Sequence, residues 1–124
     1  MTKGELRQFY YLNREIINDT EELVGLKIRS RSEARSRWER EQEELIARRE
    51  AELVKKVKRC KKMRDEIGRY INSIEDSFVR QIFRYRFMKC MSWEKVAYMV
   101  GGCNSADSVR KIAERFLKKQ NRKE

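Results

Sequence analysis

IEDSFVRQIFRYRFMKCMSWEKVAYMVGGCNSADSVRKIAERFLKK, running from Ile74 to Lys119, decides how the rest of the chain is read. Apolar residues recur in it at helical spacing three times, and the breaks between carry helix caps. In its middle, Trp93, Val96, Ala97 and Val100 stand at i, i+3, i+4 and i+7, one face of a 3.6-residue period. Ser92 precedes them as an N-cap, and Gly101-Gly102 follows, where positive φ costs little. The next helix repeats the pattern. Asn104 or Ser105 caps it, Asp107 lies in its first turn, and Val109, Ile112, Ala113 and Phe116 form its inner face. Lys118 and Lys119 then suit the negative end of its dipole. Ahead of both, Ser73 or Asp76 caps a helix whose inner face is Val79, Ile82, Phe83 and either Arg86 or Phe87, with Arg80, Arg84 and Lys89 outside. The spacing predicts a three-helix unit over 73–124, its last two helices joined as a helix-turn-helix.

Away from Val109, Ile112 and Phe116 the last helix turns Asp107, Arg110, Lys111, Glu114 and Lys118 outward, with Ser108 and Arg115 on the flanks. Forked and single-point donors on one helix face are the chemistry that meets base edges and phosphates in a major groove. The expected double-stranded DNA contacts are Ser105, Asp107, Ser108, Arg110, Lys111, Glu114, Arg115 and Lys118 on the helix over about 105–119, with Arg84 and Lys89 as phosphate contacts before it. Arg110 and Lys111 are expected to approach guanine edges or adjacent phosphates. Ser105 and Ser108 would set the helix N-terminus on a phosphate, and Asp107 and Glu114 would orient neighbouring arginines or accept from cytosine amino groups.

Composition agrees with a basic, helical chain. Of 124 residues, 41% are charged, none is proline and 5 are glycine, which argues against a turn-rich β fold. The net charge of +11 points to a polyanionic partner, because each phosphate neutralised releases condensed counterions. No apolar run approaches the 18 residues of a membrane span and no signal peptide opens the sequence, so a soluble, cytoplasmic protein is expected. Cys60, Cys90 and Cys103 lack CxxC spacing and there is no histidine, so neither a metal site nor a cofactor is expected. Cys60 and Cys90 are expected to pack and Cys103 to be exposed.

Residues 1–72 read as a long helical hairpin or coiled coil. From 4 to 28 the apolar positions Leu6, Phe9, Tyr10, Ile16, Ile17, Leu23 and Val24 follow a repeat of three and four, with Asn13, Thr20 and Lys27 at polar seam positions. Residues 27–37, KIRSRSEARSR, lose that period and read as a connector whose arginines could also clamp phosphates. A second long helix runs from Ser32 or Trp38 to Tyr70. Its stripe is Trp38, Leu45, Leu53, Val57, Cys60, Met63, Ile67, Tyr70 or Ile71, and Ile74, firmer from Leu53 onward. Within it KKVKRCKKMR, residues 55–64, is a solvated face or a non-specific phosphate rail. The two helices can fold back on each other or pair between chains as a homodimer; the sequence allows both.

The C-terminal segment resembles the promoter-reading region four of bacterial sigma factors, and specifically the sigma-related transcription regulators of phages and prophages of Gram-positive bacteria. The matching residues are Arg84-Tyr85-Arg86-Phe87, Met91-Ser92-Trp93-Glu94-Lys95-Val96-Ala97 with Val100-Gly101, then Ser108-Val109-Arg110-Lys111 and Arg115-Phe116-Leu117. Gly101-Gly102-Cys103-Asn104 makes a longer turn than is usual in sigma factors. The resemblance implies a sequence-specific DNA-binding regulator at the nucleoid in the bacterial cytoplasm and, as a second possibility, contact with RNA polymerase through the N-terminal hairpin or the outer face of the first C-terminal helix. A phage packaging protein like a small terminase subunit, or a recombination accessory factor, is the alternative, since either would bind DNA and oligomerise through its coiled coil. Enzyme function is not expected: no Gly-rich phosphate loop, histidine or spaced metal set is present.

Overall fold

The computed structural model describes residues 1–31 and 37–123. Among these the chain is all α, with no strand. Its helices are α1 (Lys3–Arg31), α2 (Arg37–Glu41), α3 (Glu43–Asn72), α4 (Ser77–Phe83), α5 (Trp93–Val100) and α6 (Ala106–Lys123). A turn of π-helix over Arg84–Met88 continues α4. The expected second long helix is interrupted at Gln42, and a start at Ser32 lies outside the described residues, as does Arg35 of the connector.

Two compact units divide the chain, Leu12–Lys62 and Met1–Tyr11 with Met63–Glu124. The division differs from the expected one between 72 and 73, because the first residues of α1 and the end of α3 group with the C-terminal helices. The cause is a shared core. Leu6, Phe9, Ile67, Ile71 and Ile74 are buried in the same unit as Val79, Ile82 and Phe83. At Gly68 a side-chain carbon would stand 3.4 Å from the Phe9 ring, so the glycine admits close approach of α1.

The unit Leu12–Lys62 is an antiparallel hairpin of α1 and α3 within one chain, with Leu12, Ile16, Leu53, Val57 and Cys60 buried. Burying a side chain of this size contributes about 1.5–3 kcal/mol. Register is set by polar pairs across it. Lys56 Nζ lies 3.1 Å from the Asp19 carboxylate, Cys60 Sγ donates to Glu15 Oε2 at 3.1 Å, and the Arg49 guanidinium forks onto Glu22 with both contacts at 3.1 Å. The Asp19 hydrogen bond raises the Lys56 ammonium above the ordinary lysine range. Burial, and then the Glu15 carboxylate, push the Cys60 thiol up, which keeps it protonated and unreactive.

The seam differs from the expected one in three places. On α1 the inward residues are Leu12 and Asp19, not Asn13 and Thr20, while Ile17 and Val24 face outward. On α3 the steps of three and four from Leu53 through Val57 and Cys60 lead to Arg64, not Met63, which is exposed. Trp38 and Leu45 are exposed too, which accounts for the weakness of the stripe before Leu53. Of the basic block, Lys55, Lys58, Arg59, Lys61 and Lys62 face solvent.

Between α3 and α4, Asp76 is the N-cap and Ser73 is not. Its Oδ1 accepts from the backbone N–H of Phe78 at 2.9 Å and of Val79 at 3.1 Å. Asp76→Ala is expected to cost about 1 kcal/mol, seen as a lower urea midpoint at unchanged slope. Arg80, expected outside, is half-buried and donates to the Ile74 carbonyl at 2.7 Å, tying the start of α4 to the end of α3.

Candidate nucleic-acid interface

α4, α5 and α6 pack around one another, each with an apolar side that has nowhere else to go. Val79, Ile82, Phe83, Phe87, Val96, Ala97, Val109, Ala113 and Leu117 are all buried. Phe83 stands edge-on to both Phe87 and Phe116, with ring centroids 5.3 Å apart in each case. The π turn brings Phe87 rather than Arg86 into this core. Arg86 is instead half-buried against α5, its guanidinium 4.5 Å from the centre of the Trp93 ring and donating to the Met91 carbonyl at 2.9 Å. Cys90, expected to pack, is exposed, because the backbone leaves the π turn with φ of 56° there.

The approach to α6 is built from local hydrogen bonds. Ser92 caps α5 by accepting from Lys95 N–H at 3.3 Å, and Gly101 closes it with φ of 69°. Gly102 and Cys103 follow with φ of 72° and 58°, so the turn runs through three left-handed residues, which is what its two glycines are suited to. Asn104 then donates to the Gly101 carbonyl at 2.9 Å and accepts from the Ser108 hydroxyl at 3.3 Å. Ser105 caps α6, its hydroxyl accepting from Ser108 N–H at 3.1 Å. Both serines expected near a phosphate are therefore engaged in the turn through these contacts.

On α6 the charged side chains separate into two groups. Arg110 is half-buried and donates to Asp107 at 2.7 Å and to Glu114 at 3.4 Å. Lys3, at the start of α1, meets Glu114 from the other side at 3.3 Å. The Arg110 hydrogen bond, then its charge, hold the Asp107 carboxyl below the ordinary carboxylate range, and Asp107 raises Arg110 in turn. Thus Asp107 and Glu114 orient Arg110. The other group is Lys111, Arg115 and Lys118, all exposed and spaced three and four apart along one solvent-facing row. Lys111 reaches Asp107 at 3.7 Å, a distance that water competes for. Arg115 and Lys118 have no ion pair among the described residues.

Arg84 and Lys89 are exposed and line a groove of 440 Å³ on the outside of α4 and its π turn, with Ser77, Arg80, Gln81 and Tyr85. The groove is lined by residues of α4, the π turn and Lys89, and Lys111, Arg115 and Lys118 are not among them. Sequence reasoning missed Lys3, and it offered Arg86 only as an alternative to Phe87 on the inner face, not as a brace against Trp93. A contact of Lys3 with a residue 111 positions away leaves no local signal, whereas Arg86 directly before Phe87 in the apolar stripe could have been read as a bracket.

Among the described residues no three ligating side chains stand close enough to hold a metal ion, and no helix is long and apolar enough to cross a membrane. The unit is thus a three-helix array with a capped turn and a basic outer row on its last helix. No protein-family model matches the chain, and no curated protein or solved structure is significantly similar to it.

Proposed function

We propose that this chain is a sequence-specific double-stranded-DNA-binding transcription regulator of phage or prophage type, working in the bacterial cytoplasm with α6 in the major groove. The observation that carries the reading is the row Lys111, Arg115 and Lys118 on the solvent face of a well-braced helix, in a chain of net charge +11. A helix held by its inner side, whose outer row makes only one long contact, Lys111 to Asp107 at 3.7 Å, can enter a groove without losing its packing. Arg110 reaches a base edge only by leaving Asp107 and Glu114. The first contacts therefore fall to Lys111, Arg115 and Lys118, and Arg110 follows by exchange. Arg84 and Lys89, in their own groove, hold backbone phosphate where the duplex bends toward them, or an acidic face of RNA polymerase.

Selection of bound duplexes from a random pool tests the reading, followed by titration of the winner against scrambled DNA at two salt concentrations. A discrete motif that keeps its preference at the higher salt supports a sequence reader. No enriched motif, with affinity collapsing as salt rises, would remove sequence reading and leave an assembly role such as DNA packaging.

Asp107→Asn tests the place of Arg110. The substitution frees the guanidinium and removes a carboxylate that faces the phosphates, so affinity for any duplex is expected to rise a few-fold. Preference for the selected motif over scrambled DNA is expected to rise as well if Arg110 reads a base, by fluorescence anisotropy on both duplexes. An unchanged preference would confine Arg110 to bracing α6.

A further inference from the structure

α1 carries two apolar stripes, and the fold covers one of them. Leu12 and Ile16 face α3, whereas Ile17, Val24 and Ile28 are 51%, 50% and 67% exposed. At 100° per residue these three fall within an arc of about 40°, roughly 140° around the helix from the buried stripe. Positions 17 and 24 are one heptad apart and 28 lies one turn further on, the spacing of a second packing face rather than of scattered surface residues.

Arg14 and Glu21 border this strip on one side, again one heptad apart. Both are exposed, and neither has an ion pair among the described residues. Seven residues separate them by about 10 Å along the axis, too far to pair with each other.

We propose that the strip seats a second copy of this chain, α1 against α1, antiparallel about a two-fold axis beside Ile17. A two-fold contact must be self-complementary. The axis that sets Ile17 next to its own copy sets Arg14 against the partner's Glu21 and Glu21 against the partner's Arg14, so the cation and anion that lack partners in one chain are satisfied in two. A parallel pair would put like residues at the same level and lose that match. The same axis, between positions 17 and 18, brings Val24 near the partner's Tyr11, also exposed, and Ile28 near the partner's Arg7, so residues 7–28, about 32 Å of helix, are paired. One helix pair stays at the low end of specific interfaces, near 1,000 Å², so the dimer is reversible and concentration-dependent. DNA plays no part in this contact, and the inference stands or falls apart from the proposed function.

Sedimentation equilibrium of the full chain, from micromolar to submillimolar concentration without DNA, tests it. A reversible monomer–dimer equilibrium is expected. Arg14→Glu and Glu21→Arg should each weaken it by about tenfold or more, because two attractive pairs become two repulsive ones, and the double variant R14E/E21R should restore it. Ile17→Glu, which brings two like charges to the axis, should abolish it. Circular dichroism keeps the test on association, since all three positions are exposed and helix content should not change. A monomer throughout the range would overturn the proposal. So would a dimer indifferent to these substitutions, which would use another face, or a double variant that fails to recover.

Discussion

Phe83→Ala is expected to cost about 3–5 kcal/mol, the range for removing a fully buried phenylalanine ring. The ring is 0% exposed and stands edge-on to both Phe87 and Phe116, so it joins α4, the π turn and α6 in one contact. No neighbour can close over the space, because all three rings are carried on helices that pack through other residues as well. Against a total stability of about 5–15 kcal/mol for a small domain, the loss should lower the urea midpoint sharply and weaken the braced position of α6. Phe78→Ala is the control. Phe78 is half-buried at the start of α4, and its loss should be clearly smaller. A Phe83→Ala cost below about 1 kcal/mol would mean that this aromatic cluster does not hold the unit together.

The second large effect is on binding. Replacing Lys111, Arg115 and Lys118 together by alanine removes the outer row of cations on α6, leaving Lys119 and Arg122 near its end, and does not touch its buried side. Affinity for duplex DNA at low salt is expected to fall on the order of 100-fold, and the slope of log affinity against log salt to become shallower by about 2.7. Thermal unfolding should hardly change, since none of the three side chains is buried. Anisotropy titrations at several salt concentrations give both numbers. Unchanged affinity and slope would remove α6 as the DNA-facing helix and turn attention to Lys55, Lys58, Arg59, Lys61 and Lys62 on α3.

Much of the C-terminal unit was legible because its signals are local. Ser92 as a cap, the glycine pair after Val100, Ser105 as one of two candidate caps, and the inward set Val79, Ile82 and Phe83 each depend on residues within one or two turns. Asp76 was one of two candidate caps for the same reason, and hydrogen-bond geometry selects it over Ser73. On α1 the period was legible but its phase was not. Where Leu6, Phe9, Leu12 and Ile16 compete with Tyr10, Ile17 and Val24, both sets have helical spacing, and only the opposing helix decides which is buried. Met63 and Arg64 pose the same problem on α3, solved by the long stem of arginine, which can lie along a seam while its charge stays near water.

The candidate interface divides along the same line. Composition and the charged face of α6 were visible in the residues, but the sorting of Arg110 from Lys111, Arg115 and Lys118 was only half visible. Asp107 and Glu114 stand three and four residues from Arg110, so the ion pairs could be anticipated. The approach of Lys3 to Glu114 could not, because it depends on where the start of α1 lies against α6 within their unit.

By itself the sequence determined that the chain is helical, where its C-terminal helices begin and turn, and that it carries the charge to seek a polyanion, since propensity, capping and net charge act over a few residues or over none. Only the tertiary structure decided which of two apolar stripes on α1 is buried, that Arg86 braces Trp93, and that Arg115 and Lys118 make no ion pair among the described residues while Arg110 is held between two carboxylates. Burial and ion pairing at these places are set by neighbours brought together through packing, and distance along the chain carries no record of them.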